Sequence, residues 1–162
     1  LLYVRQSCLE LLDETMTGWL ARERFMDFDD IEQPVVAEAR RFEAGAPCMI
    51  GSVAAAESLG WFLQAGPQNI WSRIETLNTR LTEGLHSIGY TVVSPRDDGQ
   101  RSGIIACHKE GLDPAKTAKR LAKAEIHVTT RRGWLRIAPH GYNRPEQIAR
   151  LLAALAEPES QT

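Results

Sequence analysis

The stretch Arg131-Arg132-Gly133-Trp134-Leu135-Arg136-Ile137-Ala138-Pro139-His140-Gly141-Tyr142-Asn143 decides how this chain is read. Residues 134–138 read as a strand entered through a turn at residues 131–133. A strand alternates its faces, so Arg136 points away from Leu135 and Ile137. A guanidinium on a short apolar strand is costly unless its planar fork meets an anion. On the residues alone, two readings stay open. Arg136 sits at a sheet edge in solvent or against a structural carboxylate, or it clamps an anionic ligand.

Outward from this strand, Asn143 is expected to cap the last helix, with Glu146 three residues on as in a capping box. Ile148, Leu151, Leu152 and Leu155 form that helix's apolar stripe, and the tail from Glu157 is expected to fray. Upstream, residues 90–94, 103–108 and 126–130 read as strands, with a polar loop over residues 95–101. Asp113-Pro114 opens a helix with a cap and a first-turn proline; Leu121 and the alanines face inward and the lysines outward. The order strand, strand, helix, strand, strand, helix predicts an α+β layer, one largely antiparallel sheet with helices on one face.

Two long connecting helices precede it. Residues 47–65 are smooth with small residues (Gly51, Ala54, Ala55, Ala56, Ser58, Gly60), which permits close approach of another backbone. Gly66-Pro67 breaks that helix. Residues 67–87 then carry Ile70, Ile74, Leu77, Leu81 and Leu85 at three-or-four spacing, with Gly89 as the stop. Residues 1–5 read as an apolar strand, Ser7 as the cap of a short helix, and residues 15–38 as a long excursion without a clean period.

With 162 residues, 43% apolar and 25% charged, the chain has room for one globular domain, or a domain plus a piece of another. A net charge of −2 gives no field favouring nucleic acid or anionic membrane, and neither is expected as a partner. Cys8, Cys48 and Cys107 lie far apart without a Cys-x-x-Cys pair, and the four histidines lack metal-ligand spacing. Free thiols, no metal and a cytoplasmic location are the expectation. The start at Leu1, without a methionine and inside an apparent strand, reads as a fragment or a processed chain.

Four motifs in order carry a resemblance. Leu2-Tyr3-Val4-Arg5, Arg41-Phe42-Glu43-Ala44-Gly45-Ala46-Pro47, Arg101-Ser102-Gly103-Ile104-Ile105 and Arg136 to Asn143 together resemble the C-terminal portion of the class V aminotransferases. These are fold type I pyridoxal-phosphate enzymes that include cysteine desulfurases, selenocysteine lyases, kynureninases and isopenicillin N epimerases. The resemblance implies a remnant of the large cofactor-binding domain over residues 1–45, connecting helices over 46–89, the small α+β domain over 90–157 and a tail over 158–162. It implies a homodimer completed by the missing N-terminal large domain, with an amino acid as substrate.

The resemblance assigns Arg136 to the substrate α-carboxylate. It puts Arg131 close to the substrate or the cofactor phosphate, a role for which Arg132 competes and against which an exposed turn arginine is the other reading. His140 is read as a turn residue rather than an acid–base group. Gly45 and Ala46 match a Gly-Thr that contacts the cofactor phosphate across the dimer; Ala46 has no hydroxyl, which leaves only backbone N–H groups near a helix start. The Schiff-base lysine of the family falls before Leu1, and none of Lys109, Lys116, Lys119 and Lys123 suits that role. No catalytic residue is therefore expected here, and the chain alone is expected to be inactive. No cysteine lies in the interval where desulfurases carry theirs, so persulfide chemistry is disfavoured. Transaminase, epimerase and lyase chemistry stay open, beside a non-catalytic binding or assembly module of the same fold.

Overall fold

A computed structural model of the chain describes residues 4–13 and 16–157. It divides into two compact units, Leu1–Gly60 and Trp61–Thr162.

The second unit is an α+β layer, as the element order predicts. Four strands, β1 (Thr91–Val92), β2 (Ile105–His108), β3 (Thr129–Arg131) and β4 (Trp134–Ile137), pair antiparallel in the order β1-β2-β4-β3. Helix α1 (Met49–Ala65) enters the unit, followed by α2 (Pro67–Ser87), α3 (Pro114–Lys123) and α4 (Pro145–Ala156). Strand alternation sends Ile105, Cys107, Leu135 and Ile137 to the helix side. There they meet Leu77, Leu81 and Leu85 of α2, Leu121 of α3, and Ile148, Leu151 and Leu155 of α4, in one buried core.

Helix ends follow local chemistry. Gly66, at φ 81°, separates α1 from α2, with Pro67 as the first residue of α2. Gly89, at φ 82°, ends α2 in a Schellman turn: Gly89 N–H donates to His86 O and Tyr90 N–H to Leu85 O. The Asp113 carboxylate accepts from Ala115 N–H at 2.8 Å. Glu75 of α2 holds both Arg96, at 3.2 Å, and Arg101, at 2.8 Å, so the polar loop is pinned to the helix.

Several expectations are corrected. Strand β3 starts at Thr129, not Ile126, because Ile126 N–H still closes the end of α3 onto Leu121 O and Glu125 takes φ 56°. The turn before β4 is Arg132-Gly133 alone, both at positive φ, so Arg131 belongs to β3. On α3, buried Thr117 accompanies Leu121 inward, while Ala115 and Ala122 are exposed. The residue capping α4 is Arg144, not Asn143, and the reciprocal partner is Gln147 rather than Glu146. Gln147 Oε1 accepts from Arg144 N–H at 2.9 Å and from Asn143 Nδ2 at 3.1 Å, while Asn143 Oδ1 accepts from His140 N–H. Helix α1 starts two residues later than expected, at Met49, and none of its residues is buried.

In the first unit, Leu1–Tyr3 of the expected opening strand lie outside the described residues, and Val4 and Arg5 join no ladder. Ser7 is not a cap: a 3₁₀ helix, Gln6–Leu11, begins after Arg5 and buries only Leu9, too little apolar surface to sustain an α-helix. Of the expected excursion, Thr15 lies outside the described residues, and the stretch from Met16 on is ordered. A 3₁₀ turn, Trp19–Ala21, and a bridge between Arg22 and Val35 close it into a compact loop. The buried Gln33 amide satisfies the loop from inside, donating to Asp27 O and Asp30 O and accepting from Arg24 N–H. Gly18 is required there, since a Cβ would fall 1.5 Å from Ala44 O.

Two consequences are measurable. Leu81 is fully buried at the centre of the core, so Leu81→Ala should destabilise the chain by about 2–5 kcal/mol in urea unfolding; a change below about 1 kcal/mol would contradict this packing. Burial also pushes the Cys107 thiol up from its ordinary 9.0 to about 12. The unfolded thiol ionises first, so this stabilisation is complete below pH 9.0 and is lost as pH rises from there to about 12. Stability should fall across that window, and Cys107→Ala should flatten the fall.

Candidate functional site

Strand β4 builds the site on the face opposite the core. Residues directly opposed across antiparallel strands share a face, and Ala106 of β2 and Thr129 of β3 both oppose Arg136. Small neighbours on either side leave the guanidinium room. Arg131 opposes Trp134, which by alternation lies on the same face as Arg136. The two-residue turn, Arg132 at φ 51° and Gly133 at φ 79°, brings Arg132 to the rim. With Ile104 and Ala106, these residues line an open recess of about 350 Å³.

The recess is positively charged and lacks an internal counter-ion. Among the described residues no carboxylate pairs with Arg131, Arg132 or Arg136, whereas Arg24, Arg40, Arg96, Arg101 and Arg120 each meet one. A planar fork without a partner matches a carboxylate bidentately. The recess therefore unites the two predicted arginines and adds Trp134, Ile104 and Ala106, which sequence reading did not assign to a site. Period-two alternation along β4 carried the signal for Trp134; Ala106 depended on the β2–β4 register.

Other predicted residues lie elsewhere. His140 sits beside a separate apolar cleft with Trp61, Phe62, Ile70, Arg73 and Tyr142, its ring stacked on Tyr142 at 4.6 Å. In the first unit, Ala46 is exposed and Gly45 lies beside the Trp19 indole, both preceding the first residue of α1. Cys107 faces the core, away from the recess, and the Lys109 ammonium donates to Ile88 O at 2.8 Å. Lys116, Lys119 and Lys123 are exposed on α3. The recess thus fits an anion, and no lysine is among the described residues that line it.

The chain is similar to known proteins along most of its length. An uncharacterised aminotransferase of Bacillus subtilis strain 168 is 28% identical over 155 residues, 96% of this chain and 40% of that protein. A probable cysteine desulfurase of Pyrococcus abyssi is 26% identical, over 72% of this chain and 32% of that protein. The solved apo cysteine desulfurase of Thermococcus onnurineus NA1 superposes with a TM-score of 0.84 at 23% identity, covering 95% of this chain and 41% of the other, and shares its fold. The chain thus spans well under half the length of the relatives it matches. The model of the family described as aminotransferase class-V matches residues 1–138, from the first residue through the strand bearing Arg136, and the chain belongs to that family.

Proposed function

We propose that this chain is the C-terminal part of a pyridoxal-phosphate-dependent enzyme acting on an amino acid, that Arg136 holds the substrate α-carboxylate, and that Arg131 lies beside it, close to the substrate. The observation that carries this reading is a half-buried strand arginine, lining a recess and lacking a carboxylate partner among the described residues. Clamping the carboxylate fixes the α-carbon's orientation, so the bond to be broken can be set relative to the cofactor plane. Pyridoxal phosphate, when bound, supplies the electron sink for that chemistry. Its lysine is not among this chain's four, so no step is assigned to residues here. The remaining large domain would supply that lysine and most of the cofactor contacts, in a cytoplasmic homodimer where Gly45 and Ala46 present backbone groups to the cofactor phosphate.

Transaminase, epimerase or lyase chemistry fits better than persulfide transfer. Cys107 faces the core with its thiol held protonated, and the β3–β4 turn holds only Arg132 and Gly133, without a cysteine. One observation favours a second reading, an assembly module of the same fold. In the second unit, the end of helix α1 leaves the large apolar side chains Trp61 and Leu63 exposed, where another chain could cover them. A borohydride-trapped lysine adduct in the complete polypeptide would decide for the enzyme.

In that complete enzyme, Arg136→Ala should weaken amino-acid binding roughly ten- to a hundredfold, the range for a charged hydrogen-bonded contact. Binding of the corresponding decarboxylated amines should change little. Equal losses for both ligand types would exclude the carboxylate role.

A further inference from the structure

One carboxylate occupies one guanidinium fork, and the recess holds three. Elsewhere in the same unit the protein resolves such crowding itself: Arg96 and Arg101 share the Glu75 carboxylate. Arg131 and Arg132 have no such group among the described residues, although both lie beside Arg136. Neither position is a loose tail. Arg131 is fixed by its register against Trp134, and Arg132 occupies a left-handed backbone position that asparagine or glycine would fill with less strain. The indole of Trp134, opposed to Arg131 and 41% exposed, offers an apolar wall along the same face. Such a surface suits a short ligand with an anion at each end and methylenes between.

We propose that Arg131 and Arg132 form a second anion subsite beside Arg136, and that the substrate is an acidic amino acid whose side-chain carboxylate they bind. This rests on the reading of Arg136 as the α-carboxylate clamp. It assigns Arg131 primarily to the far end of the substrate, and it predicts discrimination by charge number rather than by side-chain shape.

The test is a binding titration of the 162-residue chain, followed by Trp fluorescence and calorimetry, with glutarate (two carboxylates), butyrate (one) and inorganic phosphate. Glutarate should bind roughly tenfold tighter than butyrate, the effect of one added charge-assisted contact of moderate strength. The double variant Arg131→Gln with Arg132→Asn should erase that advantage, so that glutarate and butyrate bind the variant with equal affinity; asparagine tolerates the left-handed position. Arg136→Gln should abolish butyrate binding. Equal glutarate and butyrate affinities, both lost in Arg136→Gln, would overturn the second subsite while leaving the clamp standing. Butyrate binding that survives Arg136→Gln would overturn the clamp, and the subsite with it. Phosphate binding lost in the double variant, with no glutarate advantage in the wild type, would assign Arg131 and Arg132 to a phosphate and exclude the acidic substrate.

Discussion

Strand β4 can bury only alternate side chains, and that constraint organises the second unit. Leu135 and Ile137 must face the helices because they carry the strand's share of the core. Trp134 and Arg136 are then committed to the opposite face, whatever their chemistry. A slip of one residue in register would put a guanidinium among Leu81, Leu121 and Leu151. The hydrophobic demand of the core thus fixes the arginine outside it, pointing into a recess between β2 and β3. Antiparallel pairing on both sides gives β4 a stiff backbone, and stiffness suits a group that orients a ligand.

The hairpin extends that logic. Two residues at positive φ make the tight turn whose twist matches the strands. That turn length sets Arg131 against Trp134 and so chooses which face Arg131 occupies. Register puts Arg131 and Arg136 on one face, the turn brings Arg132 to its rim, and among the described residues no salt bridge assembles them. The helix side supplies the opposite environment: Cys107, one residue from Ala106, is so well shielded that its thiol is pushed to about 12. Adjacent residues on one strand therefore live in different dielectrics, one suited to packing and the other to binding charge.

Much of this was legible in the sequence. The long stripe from Ile70 to Leu85 and the Gly66 and Gly89 stops define α2 because helical period and positive-φ glycines are local signals. The alternation around Arg136 was readable for the same reason. Less local features were not. The β3 start depends on how α3 unwinds through Glu125, and the cap of α4 depends on a side-chain network joining His140, Asn143, Arg144 and Gln147. The loop around Gln33 has no period because its stability comes from a buried amide and backbone carbonyls rather than an apolar stripe. The recess combined both kinds: Arg136 was visible, while Ala106 entered only through pairing across some thirty residues of chain.

The chain belongs to the class-V aminotransferase family, and among the described residues no lysine lines the recess that holds Arg136. The central claim is that the face of β4 bearing Arg136 is an anion site. A crystal structure of the chain grown with a simple monocarboxylate tests it most directly. The account predicts the carboxylate lying in the plane of the Arg136 guanidinium, with both oxygens accepting hydrogen bonds above Ala106. Arg136 paired instead with a carboxylate of its own chain, with the ligand bound elsewhere, would contradict it.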